Sequence, residues 1–120
     1  SCLDAENRYL TTPSSVDFYP MQGSIEDHAS NLPLAVTKCR QMVDNLRYLV
    51  GMEALFASQA VDLRKSDDNG DYVHLGKGTQ KAYDVLRAVV PEMKSNRSVY
   101  DDINKAYQIV LEEKFLADGE

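Results

Sequence analysis

Residues 34–64 read LAVTKCRQMVDNLRYLVGMEALFASQAVDLR, and they carry the strongest structural signal in the chain. Their apolar residues recur mostly at steps of three and four, the spacing that places side chains on one face of an α-helix. At a rise of about 1.5 Å per residue this helix is about 45 Å long, and its apolar face needs long partners. The pattern therefore predicts a bundle whose further helices lie in sequence beyond these residues or in other subunits. The apolar stripe consists of Ala35, Cys39, Met42, Val43, Leu46, Leu49, Val50, Phe56, Ala57, Ala60 and Leu63.

The first half of the chain is predicted as an irregular lead-in followed by one long helical region. Residues 1–23 are poor in periodicity and are predicted as a loop, apart from Leu3–Leu10, which fits the end of a helix. The long helical region is predicted over 24–64. Pro33 interrupts it, so either a kink or a restart near Asn31 is expected.

Two shorter helices are predicted within 79–116, after a hydrophilic connector. Thr79 is the predicted N-cap of the first helix, which Pro91 stops, and Ser98 is the predicted N-cap of the second. Together the elements predict an all-α fold, a long-helix bundle with an irregular N-terminal lead-in. Residues 1–120 are expected to form a single helical segment.

Composition and charge exclude several classes of function. The 120 residues suffice for one modest domain, and contents of 43% hydrophobic and 27% charged residues are ordinary for a globular protein. A formal net charge of -6 argues against a nucleic-acid partner, because binding to a phosphate backbone needs clustered Lys and Arg. The apolar runs are too short to span a membrane, so no membrane partner is expected.

The two cysteines, Cys2 and Cys39, have no metal-ligand spacing and form a poor disulfide framework. No secretion signal is visible, so both are expected to be reduced thiols in a cytoplasmic protein. Cys39 falls on the apolar face of the long helix, where cysteine usually acts as a small hydrophobic residue.

The group of residues best suited to chemistry is Ser24–His28. Ser24 fits an N-cap, and Glu26 and Asp27 then occupy the first helical turn, where the positive helix end favours ionised carboxylates. One interpretation is that both acids only cap the helix; the other is that Glu26 has a functional role. Successive residues point in different directions on a helix, so a metal site made from this group alone is not expected.

Several blocks of the sequence resemble those of the histidine ammonia-lyases, members of the aromatic amino acid ammonia-lyase family. Ala5–Arg8 is similar to Ser-Glu-Asn-Lys, Pro13–Asp17 to Pro-Ala-Ser-Val-Asp, and Glu26–Ser30 to Glu-Asp-His-Val-Ser. The gaps between these three blocks also agree with the family. Each block is weak alone, and the ordered set over nearly the whole chain is specific. Further similar blocks are Asn45–Leu49, Glu53–Leu55, Gln59–Arg64, Leu86–Arg87, Val90–Pro91 and Asn96–Arg97.

This resemblance implies that the chain is the C-terminal part of a larger, mainly helical lyase that assembles as a homotetramer. In that family, long helices from several subunits pack into a central bundle, which would cover the apolar face of residues 34–64. The family's electrophile is a methylidene-imidazolone ring made from an internal Ala-Ser-Gly. That tripeptide is absent here, so the cofactor is expected elsewhere in the full-length chain. These residues alone are expected to be inactive and to form at most one wall of the active site.

By the same resemblance, Glu26 matches the active-site glutamate of the histidine lyases, which implies a catalytic and substrate-binding role. A carboxylate there can bond to the imidazole or amino group of the substrate and assist proton transfer, whereas a glutamine cannot accept the proton. Ile25 stands where the histidine lyases commonly have glutamine, so the substrate is open. L-histidine, converted to urocanate, is the first expectation. Phenylalanine, tyrosine, a histidine betaine and an aminomutase reaction are the alternatives.

A non-enzymatic helical interaction module is the competing interpretation from another class. It predicts a folded monomer or dimer from these residues and no larger parent gene. The lyase interpretation predicts an open reading frame that extends upstream through an Ala-Ser-Gly. The ordered blocks around Glu6 and Glu26 favour the lyase, because a bundle has no need of them.

Overall fold

The computed structural model describes residues 1–16, 23, 25, 30–67 and 73–116. Within these residues the chain forms four α-helices, one short 3-10 helix and no β-strand, which confirms the all-α fold class. No helix in this part of the chain combines the length and hydropathy needed to cross a membrane. The chain divides into two compact units, Ser1–Leu46 and Arg47–Glu120. The elements are α1 (Cys2–Leu10), a 3-10 turn (Ser14–Val16), α2 (Leu32–Asp67), α3 (Lys77–Arg87) and α4 (Tyr100–Leu111).

The N-terminal lead-in begins with a helix at Cys2–Leu10, and the helix end expected at Leu3–Leu10 lies within it. None of the residues of α1 is completely buried. Its end is set by Thr11 and Thr12, whose hydroxyls donate to the carbonyl oxygens of the residues three positions earlier at 2.6 Å and 3.1 Å.

The long helix begins at Leu32, directly after Asn31, the position where one of the two sequence-based alternatives placed its start. Asn31 has a positive φ of 50°, and its carbonyl accepts the first helical bond from the Ala35 amide at 3.0 Å. Pro33 falls in the first turn, where its missing N–H leaves no helical bond unmade. The helix ends at Asp67, three residues beyond the predicted end, and its 36 residues span about 54 Å. The predicted N-cap Ser24 lies outside the described residues.

In the second unit, α2 packs against α3 and α4 around a small core. Leu86, Val90, Ala106 and Ile109 are buried, and Ala54, Leu55, Val85 and Phe115 pack against them. Gly51 allows the close approach of α2 to α4, because a Cβ at this position would lie 3.1 Å from the Ala106 carbonyl carbon and the Tyr107 nitrogen. One turn earlier, the rings of Tyr48 and Tyr107 stack with centroids 4.1 Å apart.

The two shorter helices have other caps than the sequence predicts. The N-cap of α3 is Gly76, and Thr79 lies inside the first turn, where its hydroxyl donates to the Gly76 carbonyl at 3.0 Å. The N-cap of α4 is Val99. Ser98 lies one residue earlier, and its Oγ accepts from the Tyr100 amide at 3.4 Å. Both errors arise because Ser and Thr can bond to backbone groups from several positions close to a helix start.

Candidate functional site

The predicted site residue Glu26 lies outside the described residues, as do Asp27 and His28. The adjacent Ile25 is described and is 83% exposed. The structure therefore defines the site through the residues that precede and follow the segment carrying Glu26. All of these residues belong to the first compact unit.

Two side chains bond to the backbone that precedes the segment carrying Glu26. One belongs to Asn31, the residue before α2, and the other to Lys38, in α2. The Asn31 side-chain amide donates from Nδ2 to the Ser14 carbonyl at 2.9 Å. The Lys38 ammonium donates from Nζ to the Thr12 carbonyl. The Asn31–Ser14 bond joins two points 17 residues apart, so both ends of residues 15–30 are held together at the start of α2. We call this bond the Asn31 clasp.

A second polar contact fixes α1 against α2. Asn45 is only 3% exposed, and its Nδ2 donates to Glu6 Oε2 at 2.9 Å and to Asn7 Oδ1 at 3.0 Å. Its Oδ1 accepts from Gln41 Nε2 at 3.2 Å. Because a buried amide without partners is costly, a fully bonded Asn45 favours one arrangement of the two helices. The sequence resemblance contained Glu6 and Asn7 in one block and Asn45 in another, but gave no sign that they meet.

In the second unit, a buried carboxylate joins α2 to α3. Asp62 is 8% exposed, accepts a hydrogen bond from the Tyr83 hydroxyl and forms an ion pair with Arg87 at 2.5 Å. The bond to Asp62, together with burial, raises the pKa of the Tyr83 hydroxyl above its usual 10.0. Lys65 places its ammonium 4.3 Å from the centroid of the Tyr83 ring. The members of this cluster bond directly to one another and join α2 to α3.

A similar joint orders the connection between α3 and α4. Arg97 pairs with the buried Asp102 at 2.8 Å and donates to the carbonyls of Pro91 and Glu92 at 2.8 Å and 3.2 Å. Beside it lies a cavity of about 270 Å³ with an almost wholly apolar lining, which includes Met52, Phe56, Val90, Met93 and Ile103. Gln59, Arg87, Arg97 and Asp102 also line it, but the three charged residues are held in the ion pairs with Asp62 and between Arg97 and Asp102, and the surface they expose to the cavity is small.

The fold and the ordered blocks define a class of protein, and comparison with known families identifies it. The family model for aromatic amino acid lyases matches residues 1–88, and the chain belongs to this family. The resemblance stated from the sequence is thereby confirmed.

Individual relatives give a finer comparison. The chain is 33% identical over 118 residues to histidine ammonia-lyase 1 of Fusobacterium nucleatum and 35% identical over 118 residues to the histidine ammonia-lyase of Alkaliphilus metalliredigens. Each alignment covers 98% of this chain and 22% of the relative. The chain thus spans about a fifth of the length of the curated relatives it matches.

Two solved structures are similar to this chain over most of its length. One is the ergothioneine-degrading ergothionase of Treponema denticola, with a TM-score of 0.85 and 48% identity over 96% of this chain and 22% of the other. The other is the histidine ammonia-lyase of Trypanosoma cruzi, with a TM-score of 0.83 over 95% of this chain and 21% of the other. At 23% identity the second structure supports the fold alone. The all-α segment is therefore similar to part of larger lyase structures.

Proposed function

We propose that this chain is the C-terminal part of a longer carbon–nitrogen lyase that eliminates the α-amine from an imidazole-bearing amino acid. The main support is the family match over residues 1–88 together with relatives named for histidine or for ergothioneine. The reaction removes a proton from the β-carbon and the nitrogen group from the α-carbon, and leaves a conjugated acrylate. For a primary amine such as that of L-histidine, a methylidene-imidazolone ring would supply the electrophile that activates the departing group. The quaternary ammonium of a betaine has no lone pair to add to such a ring and already departs as a neutral amine. No Ala-Ser-Gly occurs in the chain, so residues outside it would form the ring.

The contribution of this chain is the segment that carries Glu26. In our proposal the Glu26 carboxylate binds the imidazole or amino group of the substrate and assists proton transfer. Proton transfer between fixed groups depends on their separation and direction. The Asn31 clasp and the Asn45 network supply a fixed base for this segment, because they bind its ends and the adjacent α1 to the long helix.

Two substrates fit this class, and the comparisons favour the second of them. L-histidine is the substrate expected from the sequence blocks, and curated relatives named for it are 33% and 35% identical. The 48% identity to the ergothionase supports a histidine betaine, whose quaternary ammonium group leaves as neutral trimethylamine. Ile25 agrees with this choice, because a quaternary ammonium group donates no hydrogen bond to a glutamine at that position. We propose the betaine as the main substrate and L-histidine as the second candidate.

The complete enzyme, offered ergothioneine, L-histidine, L-tyrosine and L-phenylalanine separately, is expected to give a product only with an imidazole substrate. The measurement is the rise in ultraviolet absorbance of the conjugated acrylate, together with an assay of the released amine. Release of trimethylamine from ergothioneine, at a rate well above that of ammonia from L-histidine, would support the betaine. A faster reaction with L-histidine would support the second candidate. Activity on tyrosine or phenylalanine alone would contradict both.

We further propose that the complete enzyme is a homo-oligomer, a tetramer by the family resemblance, joined in part through α2. Leu32, Val36, Cys39, Val43 and Leu46 follow one another at steps of four and three residues, and all five are exposed. The four larger apolar side chains among them range from 42% exposed, at Val43, to 62% exposed, at Leu32. This spacing is that of a helix–helix seam. We name these five residues the α2 seam.

Replacing Val43 and Leu46 together by aspartate is expected to dissociate the complete enzyme into smaller species. Each charge would have to be buried in the interface, at a cost of several kcal/mol. Light scattering after size-exclusion chromatography gives the molar mass. Thr37→Asp is the matched control, since Thr37 is also exposed on α2 but lies away from the α2 seam. A double variant that keeps the mass of the native enzyme would contradict an interface at the α2 seam.

A further inference from the structure

We infer that residues 112–116 form a strap that holds α3 in place and opens as a unit, with Glu113 as its hinge. The strap follows α4, which ends at Leu111, and it belongs to the second compact unit. Three contacts carry the inference: the turn at Glu113, the packing of Phe115 and a bond from Lys81. The inference does not rest on the proposed function, because no residue of the strap is proposed to meet the substrate.

A strained turn reverses the chain at the end of α4. The Lys114 amide donates to the Ile109 carbonyl at 3.0 Å, and the Glu113 amide donates to the Val110 carbonyl at 3.1 Å. These two bonds form a Schellman motif, whose left-handed position is usually occupied by glycine. Glu113 stands at that position with a φ of 55°. Because a Cβ is crowded by the backbone in this conformation, the closed strap carries a conformational cost that glycine would lack.

The turn brings Phe115 back against the core of the second unit. Phe115 is half-buried and packs on the cluster that contains Leu86 of α3 and Ile109 of α4. It also lines a groove of about 330 Å³ between α2 and α3, together with Ala54 of α2 and Tyr83 of α3. Burial of this aromatic side chain favours the closed strap, because opening would return its apolar surface to water. The strap thereby closes one side of the groove.

A polar contact from α3 fixes the last residue of the strap. The Lys81 ammonium donates to the Leu116 carbonyl at 2.8 Å, across 35 positions of sequence. The Leu116 amide donates to the Glu113 carbonyl at 3.0 Å, so the strap is also bonded within itself. Residues 112–114 are exposed, and a segment with few buried contacts and a strained residue is of the kind that opens locally. Opening would relieve Glu113 and release α3 from both Phe115 and the Leu116 carbonyl.

The test is amide hydrogen exchange in the complete enzyme, measured by mass spectrometry. Phe115→Ala is expected to speed exchange over Lys77–Arg87 about tenfold, because the loss of a packed aromatic side chain favours the open strap. Leu116→Ala is the matched control, with an expected change below about twofold: its side chain is 63% exposed, and the variant keeps the carbonyl to which Lys81 bonds. Unchanged exchange over Lys77–Arg87 in the Phe115→Ala enzyme would overturn the inference. An equal rise over residues 47–67 would do the same, since it would mean a general loss of stability.

A second variant tests the hinge by a gain of protection, and it decides the matter even if Phe115→Ala fails to fold. Glu113→Gly removes the crowded Cβ and is expected to slow exchange over Lys77–Arg87 about threefold. The freedom that glycine adds to the open strap reduces this gain without reversing it. Glu113→Ala is the matched control: it removes the carboxylate but keeps the Cβ, so exchange is expected to stay within about twofold of the native rate. A glycine variant that exchanges as fast as the alanine variant would overturn the inference.

Opening as a unit places a further condition on the same measurements. Each variant is expected to change exchange over residues 112–116 and over Lys77–Arg87 by the same factor, because one opening exposes both. Slower exchange in Glu113→Gly that is confined to the end of α4 would mean that glycine stabilises only that helix end, and it would overturn the inference. The exchange experiments need no substrate, so their outcome is independent of whether the proposed lyase reaction is found.

Discussion

Glu26→Gln in the complete enzyme is expected to lower kcat on the imidazole substrate by about 10²- to 10⁴-fold, the usual contribution of a positioned acid or base. Glutamine retains the size of the side chain and its hydrogen-bonding capacity but cannot accept a proton. The substitution therefore separates proton transfer from binding. KM is expected to change less than kcat, because the amide still bonds to the substrate.

The measurement is steady-state turnover with the preferred imidazole substrate, followed by ultraviolet absorbance. Glu53→Gln is the matched control: Glu53 is exposed on α2 in the second unit and is not proposed to meet the substrate or the residues around Glu26. Near-normal turnover of the Glu26→Gln enzyme would remove the assigned role. It would leave the family membership intact, since that rests on the match over residues 1–88.

Asp62→Ala is expected to destabilise the second unit by about 3–5 kcal/mol, the range found when one partner of a buried ion pair is removed. The substitution leaves the largely buried Arg87 without its partner and deprives the Tyr83 hydroxyl of its acceptor. The joint between α2 and α3 is thereby lost at both contacts. The expected loss exceeds that of a surface ion pair because water does not replace the carboxylate in the buried position.

Thermal unfolding of the complete enzyme measures the effect, and amide exchange over Lys77–Arg87 shows whether α3 is the part that loosens. Asp84→Ala is the matched control on α3. Asp84 is exposed and accepts one bond from Gln80 at 2.8 Å, so its loss is expected to change stability by less than about 0.5 kcal/mol. An Asp62→Ala enzyme as stable as this control would show that the buried pair adds nothing to the joint.

The Asp62–Arg87 ion pair gives two of the sequence blocks a structural role. Asp62 falls within Gln59–Arg64 and Arg87 within Leu86–Arg87, blocks recognised only as features of a family. In the structure their charged residues form one ion pair. The blocks mark a structural contact between α2 and α3, whereas the block that begins at Glu26 is the one for which we propose chemistry.

The amino-acid sequence determined the elements whose signals are local. The apolar period of three and four residues revealed α2, and the same rule found α3 and α4 to within a few residues. The ordered blocks established the family, and Glu26 followed from one of them as a prediction. These signals can be read from the sequence alone, because a helix repeats every 3.6 residues and its caps lie close to it in sequence.

Only the tertiary structure brought together residues that are distant in sequence. The sequence indicates only the end of α1, at Leu3–Leu10, and the place of this helix depends on Asn45, 38 positions after Asn7. The Asn31 clasp and the Asp62–Arg87 pair join residues 17 and 25 positions apart. A side chain's partner across such a distance is set by the packing of whole helices. No local pattern of residues encodes that packing, so these contacts emerge only when the helices are in place.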